Sequence, residues 1–157
     1  MERDGGMKTY CLDTSVATKW FSEHDESDLS KALSIRDEIL EGRFAVIVPE
    51  LFFYELANAL RYNAGFTDKD VKDAVKSVLD MGFEIRKIES DIMEYAIDIA
   101  FKFNVSIYDA YFLALSQTTN MPFITADYKF AERVKSFRGP ALPNQGSWPG
   151  IVRLSEL

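Results

Sequence analysis

The chain has 157 residues, and 18 Lys and Arg against 25 Asp and Glu leave a formal charge of −7. One cysteine, Cys11, excludes an internal disulfide and a multi-cysteine zinc site, and one histidine, His24, excludes a cluster of imidazole ligands. The composition is that of a globular chain, with 47% hydrophobic and 27% charged residues. Its length fits a single domain over 1–157, since a domain takes roughly 100–200 residues. No apolar run approaches the roughly 20 residues of a membrane-spanning helix. Met1–Gly6 (MERDGG) is no signal peptide and reads as a disordered extension, so a cytoplasmic setting is expected. The acidic balance argues against a simple nucleic-acid binder, because phosphate affinity normally comes from Lys and Arg. It becomes compatible with one only if carboxylates are gathered in one place and offset by a divalent cation.

Lys8–Leu12 is β-favouring and stops at Asp13-Thr14-Ser15, a cluster able to turn the chain and cap a helix. The apolar spacing predicts a helix over Glu26–Glu41, with Gly42 just beyond. Phe44–Val48 is a continuous apolar run ended by Pro49, as in a strand buried on both faces. Glu50–Ala64 reads as a helix closed by Gly65. Thr67 opens another, with Asp70 in capping-box spacing, that runs to about Met81. A strand is predicted over Phe83–Ile88 and a helix over Ser90–Phe103. Ser106–Thr119 is a helix apolar almost all round, hence deeply buried, with a first polar step at Ser116 and Gln117. Pro122–Thr125 reads as a strand, Asp127–Phe137 as a helix, Gly139–Gly150 as a loop and Ile151–Leu154 as a last strand. Strands alternating with helices imply right-handed crossovers. The fold class is therefore α/β, a three-layer α/β/α sandwich around a mostly parallel sheet of about five strands.

Several chemistries are absent. No G-x-G-x-x-G and no G-K-[ST] occurs, so there is neither a dinucleotide fingerprint nor a Walker loop. Nucleophilic catalysis would need His24, which lies in the acidic stretch SEHDESD and reads as a solvated side chain. Cys11 lies in the first strand and reads as a small buried apolar residue. Carboxylates remain. Asp13 directly follows the first strand and Asp127 the fourth, at the end of the sheet where α/β proteins bind ligands. Asp is equally at home there as a turn residue or N-cap. Asp109 lies in the first turn of the apolar helix, where a charge must be paired, hydrogen-bonded or metal-bound, and Ser106 offers it a capping-box partner. Glu55 falls inside an apolar arc between Leu51 on one side and Phe52 and Ala59 on the other. It must sit at the rim of a cleft or pair with Arg61 or Arg36. Four acids brought together without a counter-charge would repel one another. Oxygen ligands without His or Cys suit Mg²⁺ or Mn²⁺, which activate water and stabilise a phosphoryl transition state.

The residues in order also resemble a known family. Leu12-Asp13-Thr14-Ser15-Val16 with Lys19-Trp20-Phe21, and Val48-Pro49-Glu50-Leu51 leading to Glu55-Leu56-Ala57-Asn58-Ala59-Leu60, are similar to the first half of a PIN-domain ribonuclease. Ser106-Ile107-Tyr108-Asp109-Ala110 with Leu113-Ala114-Leu115, and Ile124-Thr125-Ala126-Asp127 with Lys129-Phe130-Ala131, are similar to its second half. The likeness spans about Thr9–Ser136 and is nearest to VapC-type toxins of toxin–antitoxin modules. It implies a Mg²⁺- or Mn²⁺-dependent endoribonuclease. Asp13 and Asp109 would be the nearest metal ligands, while Glu55 and Asp127 would bind directly or through water and orient the nucleophile. Ser15 and Thr125 would be hydroxyl supports. The resemblance further implies a homodimer, an antitoxin lying across the acidic groove, and products with 5′-phosphate and 3′-hydroxyl ends.

For RNA phosphates the candidates are Lys19, Arg61 and Lys129, with Arg133, Lys135 and Arg138 beyond them; each is also an ordinary solvated side chain. Lys69, Lys72 and Lys76 share a helical face but interleave with Asp68, Asp70 and Asp73, which makes a mixed surface. Phe52-Phe53-Tyr54 and Tyr108, Tyr111 and Phe112 read as core or dimer contacts rather than base-stacking platforms. Three other readings remain. A PIN nuclease of RNA maturation or quality control would carry the same acids. A non-catalytic binding module would keep the fold alone. A receiver-type Mg²⁺-binding signalling domain would show paired acids after the first strand and a Lys after the last, where this chain has only Asp13 and then Arg153.

Overall fold

The computed structural model describes residues 7–22, 27–137 and 148–157. The Met1–Gly6 extension, His24, Arg138 and most of the Gly139–Gly150 loop lie outside them. Five short strands form one parallel sheet: β1 (Lys8–Leu12), β2 (Phe44–Pro49), β3 (Glu84–Arg86), β4 (Phe123–Thr125) and β5 (Ile151–Arg153). Their spatial order is β3-β2-β1-β4-β5. Between them run α1 (Thr14–Lys19), α2 (Leu29–Leu40), α3 (Leu51–Arg61), α4 (Asp68–Leu79), α5 (Ser90–Phe103), α6 (Ile107–Thr118) and α7 (Tyr128–Val134). Right-handed crossovers carry α1–α4 over one face and α5–α7 over the other, which is the expected three-layer α/β/α arrangement. The chain leaves β1 toward β2 and leaves the adjacent β4 toward β5. The switch point of the sheet therefore falls between β1 and β4.

The centre of the core is α6. Every residue from Ala110 to Gln117 is buried, and the helix packs across β1, β2 and β4. The solvent step expected at Ser116 and Gln117 does not occur. Ser116 returns its hydroxyl to the Leu113 carbonyl at 2.8 Å, and Gln117 accepts a hydrogen bond from the Tyr95 hydroxyl of α5. Local bonding satisfies both polar groups and lets the helix stay inside. Phe112 and Phe123 meet with centroids 6.1 Å apart, joining α6 to the sheet.

Several boundaries differ from the sequence expectation, each for a local reason. Asp28 adopts φ 63°, a left-handed conformation that a helix interior does not tolerate, and α2 starts at Leu29. The third helix stops at Arg61 rather than Ala64. Asn63 closes that turn by accepting the Gly65 N–H on its side-chain carbonyl at 3.1 Å, ahead of the glycine expected to end the helix. The edge strand β3 has three residues instead of six, because only Glu84–Arg86 find partners on β2. By contrast, the Thr67–Asp70 capping box forms in both directions, at 3.2 and 2.8 Å. Its face is the mixed surface anticipated, with Lys69 on Asp73 and Lys72 on Asp68.

Candidate active site

Asp13 leaves β1 with its N–H donating to the Ile124 carbonyl of β4 at 2.9 Å, which fixes it at the switch point. It occupies the N-cap position of α1, yet its side chain caps nothing. Its Oδ2 instead accepts the Ser15 and Thr125 hydroxyls, both at 2.7 Å. Each hydroxyl is oriented in turn by a backbone donor, the Ala126 N–H on Ser15 and the Asp127 N–H on Thr125, both at 2.9 Å. Two protons therefore point at one carboxylate oxygen from a frame made of β1, α1 and the end of β4. Burial dominates its ionisation and pushes the Asp13 carboxyl up to about 6. The Thr125 and Ser15 hydrogen bonds oppose that rise, and the charges of Asp109 and Asp127 add to it.

Glu55 is half-buried on α3. The apolar arc expected around it is narrower than the sequence suggests, because Ala59 and Tyr54 are exposed. Of the two placements expected for it, a cleft rim or an arginine pair, the pair does not form: Arg36 pairs with Asp37, and Arg61 lies over the Tyr62 ring. The Thr14 hydroxyl donates to Glu55 Oε1 instead, at 3.0 Å. The Glu55 carboxyl rises to about 7, mainly through burial, with Thr14 opposing and Asp13 and Asp109 adding.

Asp109 is half-buried in the first turn of α6, and its N–H is capped by Ser106 Oγ at 3.1 Å. Burial raises its carboxyl first, the charge of Asp127 raises it further, and the Ser106 hydroxyl opposes both. Asp127 is exposed and caps α7 by accepting the Phe130 N–H on Oδ1 at 3.0 Å, so its structural role is realised as well.

The four acids come from four different strand-to-helix units and act on one another electrostatically. None has a Lys or Arg ion-pair partner among the described residues. Among those residues no three Asp, Glu, His or Cys side chains already stand close enough to hold one ion. A Mg²⁺ ion needs only one or two protein carboxylates, with waters completing its octahedron. The donor set, all carboxylate and hydroxyl oxygen, thus fits a hydrated hard cation and not an all-protein cage.

The cations expected around the site are unevenly placed. Lys129 is exposed on the first turn of α7, two residues past Asp127. Lys19 donates to the Ser27 carbonyl at 3.0 Å, and Arg61 is an exposed residue in the last turn of α3. The aromatic residues divide. Phe52, Tyr111 and Phe112 are core, whereas Tyr54 and Tyr108 are 73% and 61% exposed. With Leu51, Ile88, Met93 and Ile107 these two line an apolar groove of about 320 Å³ that none of the four acids lines. Sequence reasoning missed Thr14 as a functional side chain. Its signal was a hydroxyl directly after the first acid, which can serve a turn as easily as a distant partner.

The PIN domain family model matches residues 10–135, and the chain belongs to that family. Solved structures agree on the fold. PAE2754 from Pyrobaculum aerophilum is 13% identical with a TM-score of 0.62, over 98% of this chain and 93% of that one. VapBC2 from Rickettsia felis, bound to a DNA fragment from its promoter, is 11% identical with a TM-score of 0.63, over 92% and 98%. VapC20 from Mycobacterium tuberculosis, a toxin cleaving the sarcin–ricin loop, is 15% identical with a TM-score of 0.61, over 78% and 94%. No curated protein sequence matches the chain at significance.

Proposed function

We propose that the protein is a Mg²⁺- or Mn²⁺-dependent endoribonuclease and the toxin of a toxin–antitoxin pair. The observation that carries the reading is the set of four carboxylates at the switch point, three of them with a raised pKa and none paired with a Lys or Arg among the described residues. A fold that concentrates uncompensated charge in this way favours binding of a divalent ion from solution. When bound, that ion supplies an activated water and stabilises the charge of the phosphoryl transition state. Asp13 and Asp109 hold it, and Glu55 and Asp127 bind it directly or through water and orient the attacking water. Ser15 and Thr125 keep Asp13 in place, and Lys129 is the best situated of the three cations to take a substrate phosphate.

The toxin assignment is supported by the fold shared with VapBC2 and VapC20. It brings an antitoxin that occupies the acidic groove and a homodimer. The exposed Tyr54 and Tyr108 around the apolar groove suit a second copy, since isolated soluble chains seldom leave such patches bare. A cytoplasmic location goes with this reading. The deciding experiment is cleavage of a mixed, end-labelled RNA pool by wild type and Asp109→Asn with Mn²⁺, Mg²⁺ or EDTA. Metal-dependent cutting by wild type alone supports the proposal. Equal cutting by both proteins removes it.

A further inference from the structure

Thr14 begins α1 directly after Asp13 and is 6% exposed. A threonine hydroxyl in a helix ordinarily turns back onto its own chain. Thr18, one turn later, does so and donates to the Ser15 carbonyl at 3.0 Å. Thr14 does not. Its proton goes to Glu55 Oε1, 41 residues away on the neighbouring helix α3. A hydroxyl has one proton to give, so this bond commits it. Glu55 depends on the bond in return. No described residue gives Glu55 another hydrogen bond or an ion pair, and its half-buried side chain stands between buried Phe52 one turn before it and exposed Asn58 and Ala59 one turn after it.

We propose that Thr14 is the positioning residue of Glu55. It holds Oε1, so that Oε2 is the oxygen left for the divalent ion or its water. The inference rests on the metal-dependent reading above and adds a division of labour within three consecutive residues. Asp13 is the acid, Ser15 supports it, and Thr14 reaches across the α1–α3 contact to support the second acid. The first turn of α1 thereby links the carboxylate that follows β1 to the one on α3. A free rotor at Glu55 would have to be ordered at each binding event, at the cost of side-chain entropy.

The test measures Mn²⁺ affinity by calorimetry on the full chain, together with the thermal midpoint and RNA cleavage across a Mn²⁺ series. Thr14→Val keeps the shape and deletes the donor, while Thr14→Ser keeps the donor. Thr14→Val is expected to bind Mn²⁺ about tenfold more weakly and Thr14→Ser within about twofold of wild type, the scale on which outer partners of metal ligands act. In a Glu55→Gln background Thr14→Val should add almost nothing, because the group it positions has already been altered. Unchanged Mn²⁺ affinity in Thr14→Val overturns the proposal, as does a full additional loss in the Glu55→Gln background. Should Thr14→Val fail to fold, Thr14→Ala replaces it, and Mn²⁺ affinity equal to that of Thr14→Ser overturns the proposal. Mn²⁺ binding by a wild type that cuts no RNA would remove the nuclease reading, and the affinity comparison would still decide the role of Thr14.

Discussion

At the residue scale, the site is a contest between burial and hydrogen bonding at each acid. Asp13 is the clearest case, since two hydroxyls stabilise its ionised form and burial still wins. Asp13→Asn should retain the fold and gain stability at neutral pH, because the shape is kept and a buried charge is removed. RNA cleavage by this variant and by Asp109→Asn should fall by orders of magnitude as the metal is lost. Circular dichroism and the cleavage assay check the two halves of that expectation. Unfolding of either variant would give its acid a structural role in place of the catalytic one. Thr125→Val should do the opposite to stability. Thr125 is fully buried, and its loss leaves the Asp127 N–H and one side of Asp13 without a partner. A cost of about 1–3 kcal/mol in denaturant unfolding is expected.

The residue scale is also where the sequence was least legible. Asp13, Glu55, Asp109 and Asp127 could be singled out by their positions in the pattern, because a carboxylate beside apolar residues needs an explanation. Their partners could not. Glu55 was expected at the rim of a cleft or beside Arg61 or Arg36, and its hydrogen-bond partner is Thr14, a choice that depends on how α1 and α3 lie against each other. Such a contact leaves no trace in residue spacing.

At the element scale, periodicity and caps carried most of the information. α6 declared itself through an unbroken apolar run, and α4 through Thr67 and Asp70 at capping-box spacing. Both follow from interactions within a few residues, which is why they could be read in advance. Thr67→Ala should cost about 1 kcal/mol by loss of the cap, measurable as a lowered unfolding midpoint with unchanged RNA cleavage. Leu113→Ala, in the centre of α6 against the sheet, should cost about 2–5 kcal/mol, since a fully buried side chain leaves a cavity. The short edge strand β3 and the early stop of α3 at Arg61 escaped the pattern. Strand length is set by how much of a neighbour there is to pair with, and the α3 stop by a side-chain turn that competes with the helix.

At the scale of the whole molecule, acids that lack an ion-pair partner among the described residues should make stability depend on pH and, if the proposed ion binds, on divalent cations. The Asp13 carboxyl lies at about 6 in the folded chain and ordinarily at 3.8. Between those values the native state holds a proton that the unfolded chain has lost, so stability falls as pH rises through the window. Glu55, raised to about 7, acts in the same direction. The metal-free protein should therefore lose stability between about pH 4 and pH 7, with Asp13 alone contributing up to about 3 kcal/mol. Saturating Mg²⁺ should flatten the curve, because the ion binds the ionised carboxylates of the folded state alone. Thermal melts across pH, with Mg²⁺ or EDTA, measure both effects. An identical slope for wild type and Asp13→Asn would refute the assignment of that charge. Tyr54→Asp with Tyr108→Asp should turn a dimer into a monomer in sedimentation equilibrium if the apolar groove is the face between copies.

Local chemistry written along the chain was enough for the α/β class, the parallel sheet, the buried helix and the singling out of four acids, two after strands and two on helices, because each depends on neighbours in sequence. The tertiary structure alone decided the order β3-β2-β1-β4-β5, which sets Asp13 and Asp127 on adjacent strands at the switch point. It also decided the pairing of Thr14 with Glu55, the absence of an arginine ion pair to that glutamate among the described residues, and the exposure of Tyr54 and Tyr108. Each of these is a relation between segments tens of residues apart. Such relations are set by how helices and strands pack, and spacing along one segment carries no record of the other.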